Sequence, residues 1–267
     1  MPGGRRPLTD LRVLAGMLAQ AGYRVVLHDR RNCGLSDISI DGEGAEYEIH
    51  ADDLHALLER LGAVPAIIGG TSSGCRVSIF VALRHPSAVR ALLLWCVTGG
   101  AFSSNRLAHR YYGQFIEAAQ AGGMAGVAAT EHFGEMIAGR PANGERLAAL
   151  VADRFVAVMS LWRKYFYDSI ELPLIGLTER DLRSIDVPAC IVPGNDRSHP
   201  RHVGVTASEL IPNSDLHHVM TEELDVDVAP REYWDLRNDK LAEIFQSFLS
   251  KRGFAVGVAA DHERMEE

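Results

Sequence analysis

Short apolar runs alternate with helical stripes along most of the chain. Residues 23–28, 66–68, 91–95, 189–192 and 215–220 read as strands. Most are continuous apolar runs, as expected of strands buried on both faces. Leu11, Leu14, Ala15 and Leu18 recur at helical spacing, as do Leu54, Leu57, Leu58 and Leu61, and Leu241, Ile244, Phe245 and Phe248. Each set makes one apolar stripe that packs on a sheet. Strands alternating with such helices predict βαβ units and a mostly parallel sheet flanked by helices.

Residues 99–180 break this rhythm. Aromatic residues from Tyr111 to Tyr167 fall in helix-like segments with no clear strand, punctuated by Gly122, Gly123 and a turn at Pro141. The stretch is too long for a connection, so it reads as a helical insertion over one edge of the sheet. The division expected is residues 1–98 and 181–260 as two parts of one α/β core, 99–180 as the insertion, and 261–267 as a frayed charged tail.

Composition narrows the class. The chain has 267 residues, with 27 Lys+Arg against 35 Asp+Glu and a net charge of −8. An acidic balance argues against a nucleic-acid partner. The longest apolar run, residues 91–97, falls well short of the ~18 residues that span a bilayer, so no membrane partner is expected. The N-terminal arginines Arg5 and Arg6 lead into a polar turn rather than an apolar stretch, which argues against a secretory signal. Cys33, Cys75, Cys96 and Cys190 lie far apart and the histidines are scattered. The expectation is reduced thiols, a cytoplasmic location and no metal site. With no phosphate loop or dinucleotide fingerprint, no cofactor is implied.

The most informative stretch runs from Ile67 to Gly74. It contains G-x-S-x-G as Gly70, Ser72 and Gly74, after an apolar strand and before a helix-like segment at 75–83. A sharp strand-to-helix turn lifts the serine Oγ clear of the sheet, and the glycines avoid collisions across the turn. A chance Gly/Ser turn would share the five residues but not the strand before and the helix after. Ser72 is the candidate nucleophile. The Ser73 N–H, one place later, is a candidate oxyanion donor at the positive helix terminus.

On these residues the chain resembles the α/β-hydrolase family, over most of its length. The run from His28 to Asp37 resembles the family's D-x-R-G-x-G-x-S segment after the fourth strand, and Ala82 to Pro86 the end of the helix after the elbow. Residues 185–200 resemble the strand and D-x-x-x-P turn that carry the acidic triad member. The resemblance implies Asp196 as that acid and a helical cap at 99–180 shaping an acyl pocket. Relatives that open epoxides or displace halide attack with an aspartate at the elbow. Ser72 points instead to acyl transfer to water, from esters, lactones or similar bonds.

Two positions depart from the family pattern. A serine needs a general base, and the family places a histidine in the loop after the last strand. Here that loop reads from Thr221 to Asp227 and holds none. His199, in the Asp196 turn, is the favoured replacement. A subgroup of the family with a P-G-G-R start, a D-R-x-N-C-G segment and a histidine after the acidic turn resembles this chain and supports that choice. His217, His218 and Glu222 remain alternatives, though a carboxylate needs burial to become an adequate base.

The second departure is at the front. Pro2, Gly3, Gly4 and Arg5 stand where the family has its H-G turn, so Gly3 or Gly4 is a candidate oxyanion donor. The strand that precedes this turn in the family has no counterpart. The expectation is that Met1 is an internal methionine of a longer reading and that the first strands are missing.

The function expected is a serine hydrolase acting through a Ser72 acyl-enzyme on a small, apolar acyl substrate. The alternative is a catalytically impaired member of the same fold that binds small molecules.

Overall fold

The computed structural model describes residues 1–41 and 44–256. The 261–267 tail lies outside the described residues. Among the described residues, four parallel strands form the sheet: β1 (Ala66–Thr71), β2 (Val89–Trp95), β3 (Ala189–Val192) and β4 (Ser214–Leu216), in spatial order 1-2-3-4. The central strands β2 and β3 are buried almost throughout, which is why they read as unbroken apolar runs.

Side chains alternate across the sheet. Leu92 and Leu94 enter one core with Leu54, Leu58 and Ile79, from α2 (Glu46–Arg60) and α3 (Ser73–Arg84). Ala91, Leu93 and Trp95 enter the other with Leu14, Leu241, Phe245 and Phe248. These belong to α1 (Arg12–Gln20) and α12 (Asn238–Lys251), which pack together. All three apolar stripes seen in the sequence therefore cover the sheet, two of them sharing one face.

Between β2 and β3 lie α4 (Gly100–Ala108), a π-helical turn at His109–Gly113, α5 (Gln114–Ala128), α6 (Glu131–Gly139), α7 (Ala142–Ala148), α8 (Ala152–Tyr167) and α9 (Glu179–Arg183). The aromatics here are mostly packing groups. Tyr112, Phe115, Phe133, Phe155, Trp162 and Phe166 are fully buried. The π turn shifts the helical phase locally, and Tyr111 and Tyr112 are both buried there. After β3 come α10 (Arg201–Leu210) and α11 (Arg231–Asp235).

Two expected strands differ. Residues 23–28 pair with no strand, and a cavity of about 430 Å³ separates them from β1. The apolar composition suits a buried strand, but a ladder needs a neighbour, and none of the described residues supplies one. Among the described residues, Met1 alone pairs with β1 on the edge away from β2. Its amine donates to the Gly69 carbonyl and its carbonyl accepts from Thr71 N–H at 3.1 Å, one rung in the parallel pattern. The run at 215–220 is cut to three residues, Ser214–Leu216. As an edge strand, β4 has only the short β3 to pair with.

Candidate active site

Ser72 joins β1 to α3 with φ 53° and ψ −119°, a conformation that non-glycine residues rarely adopt. The glycines are required by contact. A Cβ on Gly70 would lie 2.3 Å from the Gly74 carbonyl, and one on Gly74 would lie 2.4 Å from the Met1 carbonyl oxygen. The Ser72 N–H donates to the Trp95 carbonyl at 3.0 Å, which ties the elbow to β2.

Three predicted residues converge across the chain. His199 Nε2 lies 2.9 Å from Ser72 Oγ. His199 Nδ1 lies 2.9 and 3.1 Å from the two oxygens of Asp196. Asp196 is 2% exposed and accepts backbone N–H bonds from Ser198, His199 and Ala229 at 2.8–3.0 Å. Burial pushes its carboxyl up. The bonds and charge from His199, with the Ala229 N–H, outweigh this and hold it below the usual carboxylate range.

Neither His217 nor His218 bonds to Ser72 among the described residues. His217 follows β4, with its N–H on the Ile191 carbonyl. The backbone carbonyl of Glu222 accepts from Asn195 Nδ2. The loop expected to carry a histidine instead braces the Asp196 turn. Leu224 N–H donates to Asn195, Arg197 N–H to Val226 and Ser198 N–H to Asp227.

Gly3 abuts the serine, since a Cβ there would meet Ser72 Cβ at 3.0 Å and Oγ at 3.6 Å. The N–H groups of Gly3 and Gly4 make no hydrogen bond among the described residues, and the Ser73 N–H stands free at the first turn of α3. The carbonyls of Gly3 and Gly4 both accept from Arg30 Nη2, and Arg30 Nη1 lies 3.1 Å from Ser73 Oγ. Sequence reasoning passed over Arg30 as part of a motif. It also passed over Arg76, which is 4% exposed. Arg76 sits on α3, a helix buried all round from Ser73 to Ala82.

Two alkaline-titrating groups nearby stay neutral. Burial pushes the Cys75 thiol up to about 12 and raises the Tyr111 hydroxyl. All four cysteines are free and buried. No helix among the described residues is long and apolar enough to cross a membrane.

Comparison with known proteins agrees with this architecture. The family model described as alpha/beta hydrolase fold matches residues 12–123. An uncharacterised hydrolase, YraK, of Bacillus subtilis is 37% identical over 71 residues, 27% of this chain and 26% of that protein. The chain spans about a quarter of the length of the curated relatives it matches. A thermophilic esterase from Thermogutta terrifontis superposes with TM-score 0.60 at 18% identity, covering 92% of this chain and 88% of that one. Est816, described as an N-acyl homoserine lactone degrading enzyme, gives TM-score 0.56 at 21% identity, covering 93% and 91%. These likenesses show the fold: the chain is a protein of the alpha/beta hydrolase fold.

Proposed function

We propose that the chain is a serine hydrolase that cleaves an ester, lactone or similar acyl bond. The observation that carries this reading is the hydrogen-bonded series Ser72 Oγ–His199 Nε2 and His199 Nδ1–Asp196. Ser72 Oγ attacks the acyl carbonyl and passes its proton to His199 Nε2. Asp196 holds the imidazole with Nε2 toward the serine and stabilises the imidazolium that forms. The oxyanion is met by the Ser73 N–H and by the N–H of Gly3 or Gly4, with the α3 N-terminus behind. His199 then returns the proton to the leaving group, and a water, deprotonated by the same nitrogen, releases the acid. The helical insertion forms the cap over this centre.

The alternative of a non-catalytic binder rests on the missing late histidine or on the missing first strands; His199 supplies the contact with Ser72 that the first of these lacks. The esterase and lactone-degrading neighbours support an acyl substrate.

A fluorophosphonate probe tests the proposal. Wild type labels and Ser72→Ala does not. His199→Ala hydrolyses a p-nitrophenyl ester at least about a thousandfold more slowly. A folded wild-type protein that never labels, or labelling that survives in Ser72→Ala, would overturn the assignment.

A further inference from the structure

A small cavity beside the elbow is lined by Gly4, Arg30, Ser73, Arg76, Tyr111 and Phe166. Its volume is about 20 Å³, the space of about one ordered water. Arg5 and Glu46 also reach it. Three guanidinium groups therefore face one carboxylate.

That carboxylate is already committed. Arg5 bonds both Glu46 oxygens at 2.7 and 3.0 Å, and Tyr112 Oη and Asn32 Nδ2 donate to them as well. Arg30 spends its terminal nitrogens on Ser73 Oγ and the Gly3 and Gly4 carbonyls, while its buried Nε has no partner. Among the described residues, Arg76 has no carboxylate partner. Its Nε donates to the Ile175 carbonyl at 3.0 Å and its Nη2 to Thr98 Oγ1 at 2.9 Å. Its guanidinium lies over the Phe166 ring at 4.7 Å. Nη1 of Arg76 and Oη of Tyr111 make no hydrogen bond among the described residues. That hydroxyl is the atom a Cβ on Gly4 would strike at 2.9 Å, so it stands directly at the glycine turn.

The cavity thus sets three guanidinium groups against one carboxylate that is already bonded, with the buried and unpartnered Nε2 of His50 also in its lining. Burying a cation is costly unless an anion or a full set of acceptors accompanies it. A structural role would account for the Arg76 bonds to Ile175 and Thr98, but not for the unpartnered Arg76 Nη1 and Tyr111 Oη in a cavity that Ser73 also lines. We propose that the cavity takes one oxygen of a carboxylate carried on the acyl substrate, in the place of the single water the space can hold. The proposal rests on the reading of Ser72 as the nucleophile that receives the acyl group. Arg76 lies one helical turn beyond Ser72, about 6 Å along the axis. The matching substrates are half-esters of short dicarboxylic acids, with a few carbons between the reacting carbonyl and the free carboxylate.

The test reads binding in the Ser72→Ala protein, so it needs no turnover. Calorimetry compares monomethyl glutarate with the neutral methyl butyrate. The half-ester binds at least about tenfold tighter. Adding Arg76→Met removes that preference, and Arg76→Lys restores part of it. Should Arg76→Met not fold, Tyr111→Phe gives the second reading, with the half-ester weakened and methyl butyrate unaffected. Equal binding of the two esters, or a preference that survives both Arg76→Met and Tyr111→Phe, would overturn the proposal. Fluorophosphonate labelling of the wild type judges the nucleophile separately, so failure of one reading is distinguishable from failure of the other.

Discussion

The backbone N–H of Ala229 donates to Asp196 Oδ2 at 2.8 Å, which brings the loop without a histidine onto the acid of the candidate triad. The loop thus acts on the site through a backbone donor rather than through a side chain. Ala229→Pro removes that donor and leaves the carboxylate oxygen short of one charge-assisted bond, a loss of about 1.5–3 kcal/mol. The Asp196 carboxyl then moves back toward its ordinary range. The expected result is lower esterase activity and an acid limb of the pH–rate profile displaced to higher pH. A profile superimposable on the wild-type one would show that the contact has no bearing on Asp196.

Arg30 reaches both sides of the elbow, through Ser73 Oγ on α3 and the Gly3 and Gly4 carbonyls on the N-terminal turn. On the proposed mechanism it is a positioning residue, because its bonds to the Gly3 and Gly4 carbonyls hold the turn that carries the glycine N–H groups. With a neutral p-nitrophenyl ester, Arg30→Met lowers kcat by about a hundredfold, the scale of losing one oxyanion donor. KM for that ester changes little, because the ground-state carbonyl depends on those donors far less than the oxyanion does. Steady-state kinetics separates the two. A rise in KM at constant kcat would assign Arg30 to ground-state binding instead.

Much of this site is legible in the residues, for identifiable reasons. Gly70 and Ser72 encode a local turn, since a Cβ on Gly70 would meet the Gly74 carbonyl four residues on, whereas Gly74 answers to the distant Met1 carbonyl. Asp196 and His199 lie within one turn, so their contact is local too. The distance between Ser72 and His199, 127 residues apart in sequence, depends on the sheet, and strand alternation predicts both at the same sheet end. Roles carried by backbone groups, such as the Ala229 N–H or the Met1 carbonyl, leave no mark in residue type. Arginine ordinarily signals a surface, so Arg30 and Arg76 become distinctive only once their burial is known. The run at 23–28 has strand composition but no partner, and pairing is a property of two segments.

Acid should weaken the fold well above the range where carboxylates titrate. Burial, with nearby Arg30 and Arg5 opposing Glu46, lowers His50 from 6.5 to about 3. Burial and Arg5 lower His132 to about 4. Both rings stay neutral in the folded chain where the unfolded chain protonates them. The unfolded state therefore binds more protons below about pH 6.5, and stability falls from there toward pH 3–4. Glu46, held at about 2 chiefly by Arg5 against the effect of burial, adds a loss in the same direction between pH 4.5 and 2. Melting temperatures taken from pH 7 to pH 4 should decline steadily, and His50→Gln should flatten the decline. A melting temperature constant down to pH 5 would contradict the neutral buried rings.

The cavity of about 430 Å³ between residues 23–28 and β1 gives a prediction about stability alone. Leu14, Ala15, Leu18, Leu54, Ile67 and Phe245 line it, and apolar walls without atoms opposite them forfeit dispersion contacts. Ala15 lies on the α1 stripe that faces this space and is only partly buried, so a larger side chain there gains contacts without displacing a packed neighbour. Ala15→Leu should stabilise the fold by about 1 kcal/mol, raising the melting temperature by roughly 2–4 °C for a chain of this size. Activity on a neutral ester should be unchanged, since the catalytic candidates contribute nothing to this wall. Thermal denaturation with parallel ester kinetics checks both halves. Destabilisation by the added methyl groups would mean that the space is closed to side chains from α1.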